Sequence, residues 1–250
     1  MPYLGTAVRE WFRQIHDGPA QAYAEFADRI VQPGDFVITF NYDDSLKREM
    51  KRAGKWDVSQ GYGFNLGAET NPSNVLILKL HGSINWLVSV FGGATGGSFF
   101  VSPGRSSLGE CPVVHQADLN YFGYHDFTRH TYRSGGAFPC LIMPGRTKRF
   151  FYDTSFAHEY VDFWTSLWSQ AADAVRRSDQ IVVCGYSMLS VDERACELLL
   201  REPRKDTHVS IISGSQSERI AAQFNAAGFD DVTADNDGHF EDWVQRYVER

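Results

Sequence analysis

Asp179-Gln180-Ile181-Val182-Val183-Cys184-Gly185-Tyr186-Ser187 is the stretch on which the fold turns. Its β-branched run is too short for a helix and reads as a strand, and Gly185 opens a turn behind it. Ahead of it, residues 156–177 place Tyr160, Phe163, Trp164, Leu167, Trp168, Ala171 and Val175 at helical i, i+3, i+4 spacing. Behind it, Asp192 to Leu200 reads as a helix. The alternation then continues with a strand over Val209–Ile212, the turn Ser213-Gly214-Ser215 and a helix over Glu218–Ala227. A short strand at Val232–Ala234 and a closing helix at Phe240–Val248 complete it.

Working towards the N-terminus, residues 6–31 have a helical period broken at Gly18-Pro19 and ended by Pro33-Gly34. Phe36-Val37-Ile38-Thr39-Phe40 lacks alternation, as expected of a strand buried on both faces, and Ser45 to Ala53 is helical. Val75 to Leu80 is a second buried strand that ends at His81-Gly82. The Gly-, Ser- and aromatic-rich stretch from Phe91 to Gly145 has no clear period. The region 87–147 is therefore read as an irregular insertion or lid within one domain spanning residues 1–250. Buried strands alternating with helices predict an α/β fold, a mostly parallel sheet with helices on both faces.

Composition narrows the function. With 43% apolar and 14% aromatic residues, the 250-residue chain can build a sizeable core, which argues against disorder. Lys+Arg 24 against Asp+Glu 31 gives −7, so no broad basic nucleic-acid footprint is expected. Cys111, Cys140, Cys184 and Cys196 contain no CxxC pair, which excludes a zinc ribbon by spacing. The longest apolar runs are too short to cross a bilayer, and Met1 to Trp11 lacks the pattern of a secretory signal. The expectation is a cytoplasmic protein without membrane attachment.

In parallel sheets, ligands bind outside the carboxyl ends of the strands, so the polar residues closing each strand are the candidates. Asn41 and Asp43 leave the first strand: an amide and a carboxylate can orient a sugar hydroxyl or a carboxamide, and both residue types are also favoured helix N-caps. His81 stands at the next strand end, where imidazole can act as a base near neutral pH, and Gly82 lets the backbone bend or a ligand approach. Gly185-Tyr186-Ser187 and Ser213-Gly214-Ser215 are strand-to-helix turns of a type that binds phosphate or ribose through backbone N–H groups, and equally of an ordinary βα type. His115, Asp118, His125, Asp126 and His130 match no compact metal-ligand spacing, so no metal site is expected.

Val37–Asp43, Leu78-Lys79-Leu80-His81-Gly82-Ser83-Ile84-Asn85-Trp86, Pro144 with Lys148, and Ala172 with Asp179–Ser187 occur in one order along the chain. Together they resemble the SIR2-like (sirtuin-type) family, in particular the bacterial SIR2-like domains of anti-phage defence proteins. The resemblance implies a Rossmann-like fold that binds NAD as substrate and cleaves the bond between nicotinamide and ribose, without a metal. Carried over, Asn41 would hold the nicotinamide ribose or the attacking water, Asp43 would face the carboxamide, and His81 would be the base. Gly185, Tyr186 and Ser187 would contact phosphate or ribose, and Ser213 and Gly214 would border the adenosine half.

The family's opening strand with its Gly-Ala-Gly type loop has no counterpart ahead of residues 6–31, and the four-cysteine module of the deacylating members is missing. NAD hydrolysis to nicotinamide and ADP-ribose is thus expected ahead of protein deacylation. The alternative is a catalytically impaired module that binds NAD or ADP-ribose, or serves as a scaffold. The defence relatives also imply a sensor partner or a homo-oligomer.

Overall fold

The computed structural model describes residues 7–8, 11–12, 20–58, 61–64, 75–92, 99–102, 113–115, 136–142, 158–236 and 238–249. In chain order the elements are α1 (Gln21–Glu25), a π-helical turn (Phe26–Ile30), β1 (Phe36–Thr39), α2 (Ser45–Arg52) and β2 (Leu76–Lys79). Four strands follow: β3 (Gly82–Gly92), β4 (Phe99–Ser102), β5 (Val113–His115) and β6 (Gly136–Leu141). Then come α3 (His158–Arg177), β7 (Gln180–Cys184), α4 (Glu193–Arg201) and β8 (His208–Ile212). A 3₁₀ turn (Gly214–Gln216), α5 (Ser217–Ala226), β9 (Val232–Asp235) and α6 (Phe240–Val248) end the chain. The protein is α/β, with small parallel sheets, and it divides into two compact units. One comprises Met1–Ala20 with Gln32–Leu167, the other Gln21–Val31 with Trp168–Arg250.

In the first unit β1 and β2 pair in parallel, Phe36 opposite Leu76 through Thr39 opposite Lys79. Ile77, Leu78 and Lys79 are buried, whereas all four β1 residues are only half-buried, so β1 is not the doubly covered strand its apolar run predicts. The core beside them is aromatic. Trp86 and Tyr62 are fully buried with ring centroids 4.9 Å apart, and Phe64, Phe163 and Trp164 ring Trp86 within 6.4 Å. Each such pair contributes about 0.5–1.5 kcal/mol beyond the area it buries.

The region expected to be irregular carries an antiparallel sheet among its described residues: β4, β5 and β6 each pair with β3. Two features hid it. The β3–β6 register slips between Gly82 and Leu87, which breaks the period-two pattern, and β6 contains Pro139. Gly82 sits inside this slip at φ +88°, where a Cβ would lie 1.9 Å from the Cys140 carbonyl oxygen. The close approach that needs a glycine here is therefore by the β6 backbone.

In the second unit β7, β8 and β9 form a parallel sheet in that order. Val209 and Ile211 of β8 are buried, as are Ile220, Ala221 and Phe224 of α5, which packs on β8 and β9. The other face is half-open: Gln180, Val182 and Thr233 on it are exposed. Of the long helix predicted over 6–31, the part in this unit is α1 and the π-helical turn. Tyr23 and Phe26 hold the ring of Phe240 on α6, at centroid distances of 5.0 and 5.5 Å. No described helix is long and apolar enough to cross a membrane.

Candidate functional site

The parallel register sets the first site. Thr39 and Lys79 are the last paired residues of β1 and β2, so Asn41 and His81 each stand two residues beyond, at the carboxyl ends of neighbouring strands. The loops they open are tied together by backbone bonds: Leu80 N–H donates to the Thr39 carbonyl (3.1 Å) and Ile84 N–H to the Tyr42 carbonyl (3.0 Å). The Tyr42 hydroxyl donates to the Ile142 carbonyl at 2.6 Å, and the Ile142 N–H returns a bond to the His81 carbonyl at 2.8 Å. Sequence reading placed both residues on one rim, and the register does bring these two loops together.

Their settings differ. Asn41 is exposed, its N–H bound to the Thr39 hydroxyl at 3.1 Å. His81 is 5% exposed, its ring 5.0 Å from that of Phe40. Asp43, half-buried, uses a carboxylate oxygen to accept the Ser45 N–H at 3.0 Å, where α2 begins. That bond closes an Asx turn one residue ahead of the helix N-cap, Asp44, whose own side chain makes no cap bond.

Two residues that sequence reading assigned no role dominate the electrostatics. Lys79 and Lys47 are buried, 3% and 6% exposed. Lys79 Nζ donates to the Asp43 carbonyl at 2.6 Å, fixing the loop that carries Asn41. Lys47 Nζ donates to Asn85 Oδ1 and to Ser83 Oγ (3.4 Å), while Ser83 Oγ donates to the same Asn85 oxygen at 2.7 Å. Burial pushes Lys79 down to about 8, against the attraction of Asp43 and Asp44. Lys47 is held well below the usual lysine range, first by burial and then by the positive charge of Lys79. The signal in the sequence was a lysine between Leu78 and Leu80 in an otherwise apolar strand.

The second unit holds the other candidates. Gly185 adopts φ +62° with open space where a Cβ would be, and its N–H donates to the Ile212 carbonyl at 3.0 Å. Ser187 is exposed, and its carbonyl accepts from Arg219; the Tyr186 carbonyl accepts from Ser213 Oγ at 3.5 Å. Met188 follows at φ 44°, buried, a left-handed conformation that costs a non-glycine residue about 1–2 kcal/mol. In the next turn the Ser213 N–H donates to Ser217 Oγ (2.8 Å) and the Gly214 N–H to the Gly238 carbonyl (3.2 Å). Three of the N–H groups expected to face phosphate or ribose thus donate inside the protein.

No family model matches this chain, and no curated protein matches it. Of the rejected metal set, His115 lies in β5, and Asp118, His125, Asp126 and His130 fall outside the described residues, as do Pro144 and Lys148. Among the described residues, no three His, Cys, Asp or Glu side chains are grouped to hold a metal ion. Burial and Glu241 raise the Cys184 thiol to about 12, which keeps it protonated and poorly nucleophilic near neutral pH.

Proposed function

We propose that this chain is a SIR2-like domain that hydrolyses NAD to nicotinamide and ADP-ribose, in the manner expected of an anti-phage defence enzyme. The observation that supports the reading is the β1–β2 register, which ends two parallel strands together so that the loops bearing Asn41 and His81 leave neighbouring carboxyl ends. Loss of neutral nicotinamide leaves an oxocarbenium-like ribose, which polar groups can stabilise while they position water. Asn41, exposed at the loop, orients the ribose or that water. His81, backed by Phe40, takes the water proton as its oxygen bonds to the anomeric carbon. Lys79, through the Asp43 carbonyl, and Asp43, through the Ser45 N–H, hold the intervening loop rigid, which makes them positioning groups.

A second reading is a module that binds NAD or ADP-ribose without turnover, or a scaffold. It is favoured by the internal use of the Gly185, Ser213 and Gly214 N–H groups. Nicotinamide release from NAD by the purified chain, paired with calorimetric NAD titration, separates the two. Release supports hydrolysis, binding without release supports the module, and neither supports the scaffold.

A further inference from the structure

The open face of the β7–β8–β9 sheet carries a second constellation. His208 and Ser210 are two apart on β8 and so share a face; Thr233 of β9 lies opposite Ser210. Ser210 Oγ is 2.9 Å from His208 Nε2, and His208 Nδ1 is 2.8 Å from Asp231 Oδ2. Carboxylate on Nδ1 and hydroxyl on Nε2 is the connectivity that makes a serine nucleophilic, since the carboxylate holds the Nδ1–H tautomer and leaves Nε2 as the base. Ser210 lines a cleft of about 200 Å³ whose other walls include Thr233, Asp235, Trp243, Arg246 and Tyr247. The Thr233 hydroxyl lies 3.3 Å from Ser210 Oγ, and Arg246 is held at the cleft by Asp235. A hydroxyl and a guanidinium are thus available to a developing oxyanion, and two aromatic rings to an apolar acyl or alcohol group.

We propose that Ser210, His208 and Asp231 form a nucleophilic site for small carboxylic esters, independent of NAD cleavage. Ser210 Oγ bonds to the ester carbonyl carbon as its proton passes to His208 Nε2. The carbon–oxygen bond to the leaving alcohol then breaks, and the alcohol departs with that proton. Water, activated by the same nitrogen, releases the acid and regenerates the serine. Ser210 and His208 would be the catalytic residues. Asp231, 61% exposed on its side chain, is a positioning residue that fixes the imidazole tautomer.

The test is covalent capture on the full chain. A fluorophosphonate probe loses fluoride as its phosphorus bonds to a reactive serine oxygen, and peptide mass spectrometry locates the adduct. The expected result is labelling at Ser210, abolished in Ser210→Ala and slowed at least a hundredfold in His208→Ala. Asp231→Asn should slow labelling and shift the imidazole ¹⁵N resonances of His208 away from the Nδ1–H tautomer, a signature a purely structural aspartate would not move. These side chains are at least partly exposed, so circular dichroism should match the wild type. Failure to label Ser210, or labelling at the wild-type rate in His208→Ala, would overturn the proposal whatever the outcome with NAD.

Discussion

The β1–β2 pair and the β7–β8–β9 sheet are both parallel and both end in polar loops, yet they use polarity in opposite ways. At the end of β1–β2, polar side chains turn inward: His81, Lys79, Ser83, Asn85 and Lys47 are all buried, and the lysines are bonded to loop and strand oxygens. At the end of β7–β9, Ser187 and Ser215 face solvent, and the backbone N–H groups of Gly185, Ser213 and Gly214 donate to neighbouring segments. Burying charge costs several kcal/mol per ion unless it is well paired. Two buried lysines are kept there by those oxygens and by proton affinities that burial lowers. The second arrangement is what strand-to-helix turns need for closure.

Substitutions put that contrast to the test. The largest effect is expected at Gly82→Ala, where left-handed φ and a Cβ 1.9 Å from the Cys140 carbonyl oxygen act together. A loss of about 4 kcal/mol or more in urea unfolding is expected. A loss under about 1 kcal/mol would mean that β3 and β6 are less closely apposed.

Next is Ser217→Ala in the second unit. Its buried hydroxyl accepts the Ser213 N–H and donates to the Asp235 carbonyl at 2.6 Å, so removal deletes both bonds and should cost about 2 kcal/mol. If Ser217→Ala is neutral, the turn is not closed in the way described.

A smaller effect has a distinctive sign. Lys79 titrates near 8 in the folded chain against 10.5 for an ordinary lysine, so in that interval the unfolded chain binds more protons and stability rises with pH. Between pH 8 and 9 its share is about 1 kcal/mol, and Lys47 acts in the same direction. From about pH 8 upward the Cys184 thiol offsets part of the rise, because an ordinary thiol titrates near 9.0 while this one stays protonated up to about 12. Urea midpoints across pH 8–9 should climb in the wild type and climb less in Lys79→Met. The smallest effect is expected at Ser187→Ala, within about 0.5 kcal/mol, because only its backbone carbonyl is engaged by Arg219.

Much of the second unit was legible in the sequence because each element has a period of its own. The closing helix has the bounds its apolar spacing predicts, and β7, β8 and β9 fall within a residue of their apolar runs. The antiparallel strands were not legible, since the slip at Gly82–Leu87 and Pro139 in β6 erase the alternation that marks a strand. For the site, His81 and Asn41 stood out because strand ends in parallel sheets are privileged positions. Lys47 did not. Ser-Leu-Lys-Arg-Glu-Met-Lys-Arg reads as a solvated charged helix, and only the tertiary fold turns Lys47 towards Asn85. The Asp231–His208–Ser210 chain was hidden for a related reason, as its carboxylate lies outside the strand that carries the other two.

NAD cleavage at the β1–β2 strand ends is tested by the rate of nicotinamide release from NAD by the wild type, His81→Ala and Ser187→Ala side by side. His81→Gln is added to keep the side-chain bulk beside Phe40. Expected are release by the wild type, a loss of at least a hundredfold in both His81 variants, and a much smaller loss in Ser187→Ala. Wild-type release rates in folded His81→Gln and His81→Ala would contradict cleavage at those strand ends.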